Sequence, residues 1–110
     1  MAFAQLDRYK ARAEIIKALS HPARLFIVDE LAKGERCVGD LAEMLALDIS
    51  TVSRHLAILR AGGIVSSRKE GNTVFHSLSM PCVLRFFTCA EAVLRRRLEE
   101  SKRALADRAR

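Results

Sequence analysis

Three cysteines, Cys37, Cys82 and Cys89, are the side chains best suited to capturing a ligand in this chain. Thiolates are soft donors and select soft, thiophilic ions. An odd number of cysteines with no close CxxC pair does not read as a disulfide framework. Cys82 and Cys89 are seven positions apart, so on a regular helix they share a face but stand about 10.5 Å apart along the axis. Two sulfurs on one ion must be much closer. Either Cys82, next to Pro81, lies on a non-helical lead-in that folds back toward Cys89, or the ligands come from different helices or protomers, with Cys37 as third partner. Two other chemistries use the same residues. A reversible disulfide or persulfide joining Cys37 to a C-terminal cysteine is one, and Cys89 acting as a small hydrophobe in an apolar stripe is the other. His21, His55 and His76 form no ligand pair, and no phosphate-binding glycine loop, carboxylate pair or Cys–His couple suggests catalysis.

A second set of residues suits a nucleic-acid groove. With Val52 at the zero of a helical wheel, Leu56 and Leu59 fall within about 40° of it and face a core. The opposite arc holds Ser50, Arg54, Ala57 and Ala61, flanked by Thr51 and Ser53. Hydroxyls bond phosphates or base edges, alanine permits close approach, and an arginine can grip guanine O6 and N7 bidentately in the major groove. His55 lies nearer the apolar side and ranks below Arg54. Further on, Arg68 and Lys69 precede a Gly71-Asn72 turn and can reach phosphate or the minor groove.

These side chains need elements to hold them. Leu6, Ala13, Ile16 and Leu19 recur at helical spacing over residues 4–19. Pro22 suits a first helical turn, and a mostly buried helix containing Leu25, Phe26, Ile27, Val28 and Leu31 runs to Gly34. A short helix, Val38 to Ala46, carries Val38, Leu41, Ala42 and Leu45 on one side. After the turn Leu47-Asp48-Ile49, Ser50 can cap the next helix, which Gly62-Gly63 stops. Two helices joined so tightly make a helix-turn-helix. The run IVSSRKEGNTVFHSLS reads as a β-hairpin, its Gly-Asn pair suited to the positive-φ positions of a tight turn. Pro81 opens a long final helix with Val83, Phe87, Ala90 and Leu94 in one apolar stripe, widened by Phe86, Cys89 and Val93. So small a chain cannot cover that stripe and the first helix's together, so both are expected to pack across a two-fold homodimer interface.

The expected fold is therefore mainly α with a small β-hairpin wing: one winged helix-turn-helix domain over residues 1–110. Residues 1–19 and 81–110 would be its dimerisation helices and 22–79 its DNA-binding core. At 110 residues, half of them hydrophobic, the chain can build one core. Its apolar runs fall far short of the roughly 20 residues a bilayer demands, and its start lacks the pattern of a secretory signal, so a cytoplasmic setting with reduced thiols and no membrane partner is expected. The net charge of +6 favours a polyanionic partner, because cations near phosphates release condensed counterions.

From Ala18 through Ser79 the chain resembles the ArsR/SmtB family of metal-responsive repressors. The resemblance rests on LSHPARLFIVDELAKGERCVGDLAEML, on STVSRHLAILRAGGIV and on RKEGNTVFHSLS. It implies a homodimer that binds operator double-stranded DNA at an imperfect palindrome and represses a resistance or efflux operon. In arsenic-responsive members a Cys-x-Cys pair lies in an ELCVCDL-like motif. Here the run is ERCVGDL, so Cys37 matches the first thiol and Gly39 stands where the second would be. The expected inducer is As(III), Sb(III) or another thiophilic metal ion held by Cys37, Cys82 and Cys89, with no organic cofactor. A dithiol redox or persulfide sensor of the same fold is the alternative.

Overall fold

The computed structural model describes residues 3–109. The chain divides into two compact units, Met1–Met80 and Pro81–Arg110.

The first unit contains four helices, α1 (Phe3–Leu19), α2 (Pro22–Lys33), α3 (Val38–Leu45) and α4 (Ile49–Ala61), and three strands, β1 (Arg36–Cys37), β2 (Val65–Glu70) and β3 (Thr73–Leu78). Ile27 and Val28 of α2, Leu41 of α3, Val52, Leu56 and Leu59 of α4, and Ile64 beside the sheet are all but fully buried. They form the core against which α4 is set. Leu25, expected within that core, is more than a third exposed.

Each helix end has a local cause. Pro22 opens α2, and the Nδ1 of its N-cap, His21, accepts a hydrogen bond from the Ala23 N–H at 3.0 Å. Helix α3 ends one residue earlier than its periodicity suggests, because Ala46 turns left-handed at φ 54°. The Leu47 N–H then reaches back to the Ala42 carbonyl at 3.1 Å, closing the helix as a glycine usually does. That turn moves the start of α4 forward. Asp48 is its N-cap residue, with no side-chain capping bond, and Val52 N–H donates to the Asp48 carbonyl at 3.1 Å. Ser50 is therefore inside the first turn and does not cap it. At the far end Gly62 lies close against α1, where an added Cβ would meet that of Ala18 at 3.3 Å, and Gly63 takes φ +75°.

The sheet order is β1-β3-β2, all antiparallel. Only Gly71 of the Gly71-Asn72 pair has positive φ, which is the pattern of a type II′ hairpin turn and not of one with both central residues left-handed. The register pairs Arg68 with Phe75 on one side of β3 and Cys37 with Phe75 on the other. Strand β1 has no counterpart in the sequence reading. At two residues it shows no alternation, and its partner is distant in the chain.

The second unit is one helix, α5 (Val83–Arg108), about 39 Å long at 1.5 Å per residue. Phe86, Leu94, Leu98 and Leu105 are more than half exposed along it, as are Tyr9 and Ile16 along α1. Among the described residues no helix is long and apolar enough to cross a membrane.

Candidate nucleic-acid interface and the cysteines

Helix α4 has two faces with different fates. Val52, Leu56 and Leu59 are buried, while Ser50, Ser53, Arg54, Ala57 and Ala61 are exposed and Thr51 is half-buried. The expected face is therefore open to solvent and carries hydroxyls, small side chains and a single guanidinium. Such a surface can lie in a groove, since nothing bulky keeps the helix away from the base edges.

His55 stands apart from that set and is engaged within the protein. Its ring lies 4.5 Å from that of His21, centroid to centroid, and the Arg24 Nη1 donates to its Nδ1 at 3.2 Å. Arg24 is itself held, its Nε donating to the Ala18 carbonyl at 2.6 Å. His55 thus ties α4 to the start of α2. Burial, and then the neighbouring His21, Arg24 and Arg54, push its pKa below the ordinary 6.5. His76, buried in β3 with its Nδ1 unpartnered, is pushed the same way by burial and by Arg60.

A folded state that resists protonating these rings loses stability in acid. Below the ordinary 6.5 the unfolded chain takes up protons that the folded chain refuses, so stability is complete above that pH and declines as pH falls toward the lowered values. Thermal melts at a series of pH values should show Tm falling on that acid limb, and His55→Gln with His76→Gln should flatten it. A limb of unchanged steepness in the double variant would assign the loss to other groups.

The wing also differs from expectation. Arg68 is exposed, yet its guanidinium is engaged: Nη2 donates to Glu35 Oε2 at 2.7 Å, Nε to Glu35 Oε1 at 3.0 Å, and Nη1 to Glu70 Oε2 at 2.7 Å. Its Cζ sits 5.0 Å from the centroid of the Phe75 ring. The hydrogen bonds from Arg68 hold the Glu35 carboxyl below its ordinary pKa and raise that of Arg68. Lys69 is exposed next to it. The sequence reading gave Arg68 phosphate or the minor groove as its partner and did not foresee Glu35 and Glu70. Glu70 was visible two positions along the strand on the same face, whereas Glu35 is brought over by β1.

The cysteines occupy separate places. Cys37 is half-buried at the start of α3, and Cys82 and Cys89 are exposed on the second unit. Cys82 has helical backbone angles, φ −63° and ψ −20°, and its carbonyl accepts from the Arg85 N–H at 3.2 Å. It is the N-cap residue of α5 and already has helical backbone angles, which removes the folded-back lead-in considered above. The two sulfurs of one α5 are thus separated by roughly two helical turns, too far to share an ion. Among the described residues no group of three His, Cys, Asp or Glu side chains is placed to hold a metal. Within α5, Cys82 and Cys89 therefore do not form a shared site for one ion.

Comparisons with known proteins place the chain among transcriptional regulators. The family model described as bacterial regulatory protein, arsR family, matches residues 21–67, from the cap of α2 into β2. The uncharacterized HTH-type transcriptional regulator Rv0081 of Mycobacterium tuberculosis is 36% identical over 100 residues, which cover 90% of this chain and 88% of that protein. The solution structure of the homodimeric winged helix-turn-helix DNA-binding domain of Mb0332 from Mycobacterium bovis superposes with a TM-score of 0.77 at 31% identity, over 91% of this chain and 93% of that one. The crystal structure of the transcriptional repressor BigR from Xylella fastidiosa gives 0.68 at 30% identity, over 84% and 96%. These relatives are regulators of transcription and not enzymes. With its winged helix-turn-helix fold and an identity above the level at which fold alone is shared, this chain belongs to the arsR family of bacterial transcriptional regulators.

Proposed function

We propose that the protein is a cytoplasmic transcriptional repressor that binds an imperfectly palindromic operator as a homodimer and is released from it through its thiols. The observation that carries the DNA-binding part is the open face of α4, with Ser50, Ser53 and Arg54 exposed opposite a fully buried Val52, Leu56 and Leu59. Homodimerisation is supported by the uncovered apolar side chains of α1 and α5 and by the homodimeric relative. The repressor sense follows the relative so described.

For the inducer, sulfur chemistry favours trivalent arsenic or antimony, or a similar thiophilic ion. Since one α5 cannot bring Cys82 and Cys89 to a single ion, such a site would draw its sulfurs from both protomers. The same geometry favours a second reading, a disulfide or persulfide of Cys37 with one α5 cysteine, because that chemistry needs two sulfurs and not three. Occupancy of the thiols can weaken operator binding only if the inducer binds the free repressor more tightly than the DNA-bound one, and DNA must then weaken inducer binding by the same factor.

Fluorescence-anisotropy titration of the reduced protein on a palindromic promoter fragment, repeated with arsenite, antimonite, cadmium, zinc and an oxidant, tests these statements together. Release by arsenite or antimonite alone supports the metalloid, and release by oxidant alone supports the redox reading. Cys37→Ser is expected to bind operator normally and to lose the response. A normally inducible variant would place sensing elsewhere.

A further inference from the structure

The sequence presents the wing as a source of positive charge, but the atoms around Arg68 reverse the sign. One guanidinium is bracketed by two carboxylates, Glu35 and Glu70, each within 2.7 Å of one of its nitrogens. The cluster carries a net single negative charge. Both oxygens of Glu35 are engaged, Oε1 by Nε and Oε2 by Nη2, which is the bidentate arrangement a guanidinium also uses on phosphate. The donors that would grip a DNA backbone are thus already occupied.

The position of the cluster matters as well. Glu35 immediately precedes β1, at one edge of the sheet, and Arg68 lies on β2 at the other. The arginine reaches across β3, lying over the ring of Phe75, its register partner. All three charged side chains are 40–68% exposed, so solvent and salt weaken the pairs and a competing phosphate can reach them.

We propose that Glu35 and Glu70 are positioning residues that latch Arg68 across the wing, masking it from DNA, so that the wing's electrostatic grip is set by these carboxylates and is weaker than its count of basic residues implies. The proposal rests on the DNA-binding reading above. Lys69 is the wing cation that a phosphate meets first, and Arg68 becomes available only when the latch opens.

Salt dependence separates this from a merely structural pair. In anisotropy titrations of the full chain on a random-sequence duplex across a salt series, Glu35→Gln should bind several-fold more tightly at low salt. Its plot of log K against log salt should steepen by about 0.9 per protomer, the increment for one additional phosphate contact. Glu70→Gln should shift the slope in the same direction. In an Arg68→Gln background, Glu35→Gln should give no steepening, because the unmasked cation is gone. An unchanged slope in Glu35→Gln, or weaker binding at every salt concentration, overturns the latch and leaves a wing brace. Absence of binding by the wild-type protein would instead defeat the DNA-binding reading itself, and the latch with it.

Discussion

Leu56→Ala is expected to destabilise the fold by about 2–5 kcal/mol, the range for emptying a buried leucine site whose surroundings relax only in part. Leu56 is 1% exposed, on the inner face of α4. Helix α4 packs against α1, α2, α3 and β2, so no single neighbour can move in to fill the void. For a domain of this size each kcal/mol is worth several degrees, and thermal melting followed by circular dichroism should show a Tm lower by roughly 10 °C or more. Melts of both proteins must be run at one concentration, since a dimer's Tm depends on it. Ile58, 43% exposed on the same helix, gives the contrast, with Ile58→Ala expected to cost much less. Similar losses at the two positions would mean that the inner face of α4 is not packed as described.

Arg54→Ala should leave that Tm nearly unchanged, because Arg54 is exposed, while weakening operator binding by about 1–3 kcal/mol, a factor of roughly 5 to 150. The loss should be confined to the cognate sequence, with discrimination relaxed at the base pair that Arg54 reads. A phosphate-contacting residue behaves differently, weakening binding to all sequences alike and reducing the salt slope. Titrating wild type and variant against operators substituted one base pair at a time distinguishes the two. Unaltered affinity and discrimination would remove Arg54 from the reading face.

Much of this arrangement is legible in the sequence because it is local. The inward face of α4 follows from the spacing of Val52, Leu56 and Leu59, its end from Gly62-Gly63, and the hairpin from Gly71 between two β-leaning runs. What escapes the sequence depends on partners far along the chain or on an improbable backbone. Ser50 reads as the cap of α4, whereas the left-handed Ala46 ends α3 early and Asp48 holds the N-cap position. His55 reads only as a residue nearer the apolar side of α4, and its contacts with His21 and Arg24 come from partners more than 30 residues away. Arg68 reads as a phosphate or minor-groove contact because Glu35 is 33 residues away. For the cysteines, spacing alone supplies the decisive constraint, and the helical backbone angles of Cys82 at the cap of α5 remove the one local exception to it.

The two-residue turn at Gly71-Asn72 has a consequence for how this wing can vary among relatives. Strand β2 is locked to β3 in a register that sets Arg68 opposite Phe75 and Lys69 opposite Val74. Adjacent strand residues point to opposite faces, so a slip by one position exchanges the faces of both basic residues. A single-residue insertion beside the turn that shifted the register would therefore present Lys69 to Glu35 and turn Arg68 and Glu70 outward together, whereas a two-residue insertion would restore the original sides. The length of the wing is in this sense quantised, and its charge pattern has a parity that substitutions preserve and single insertions invert.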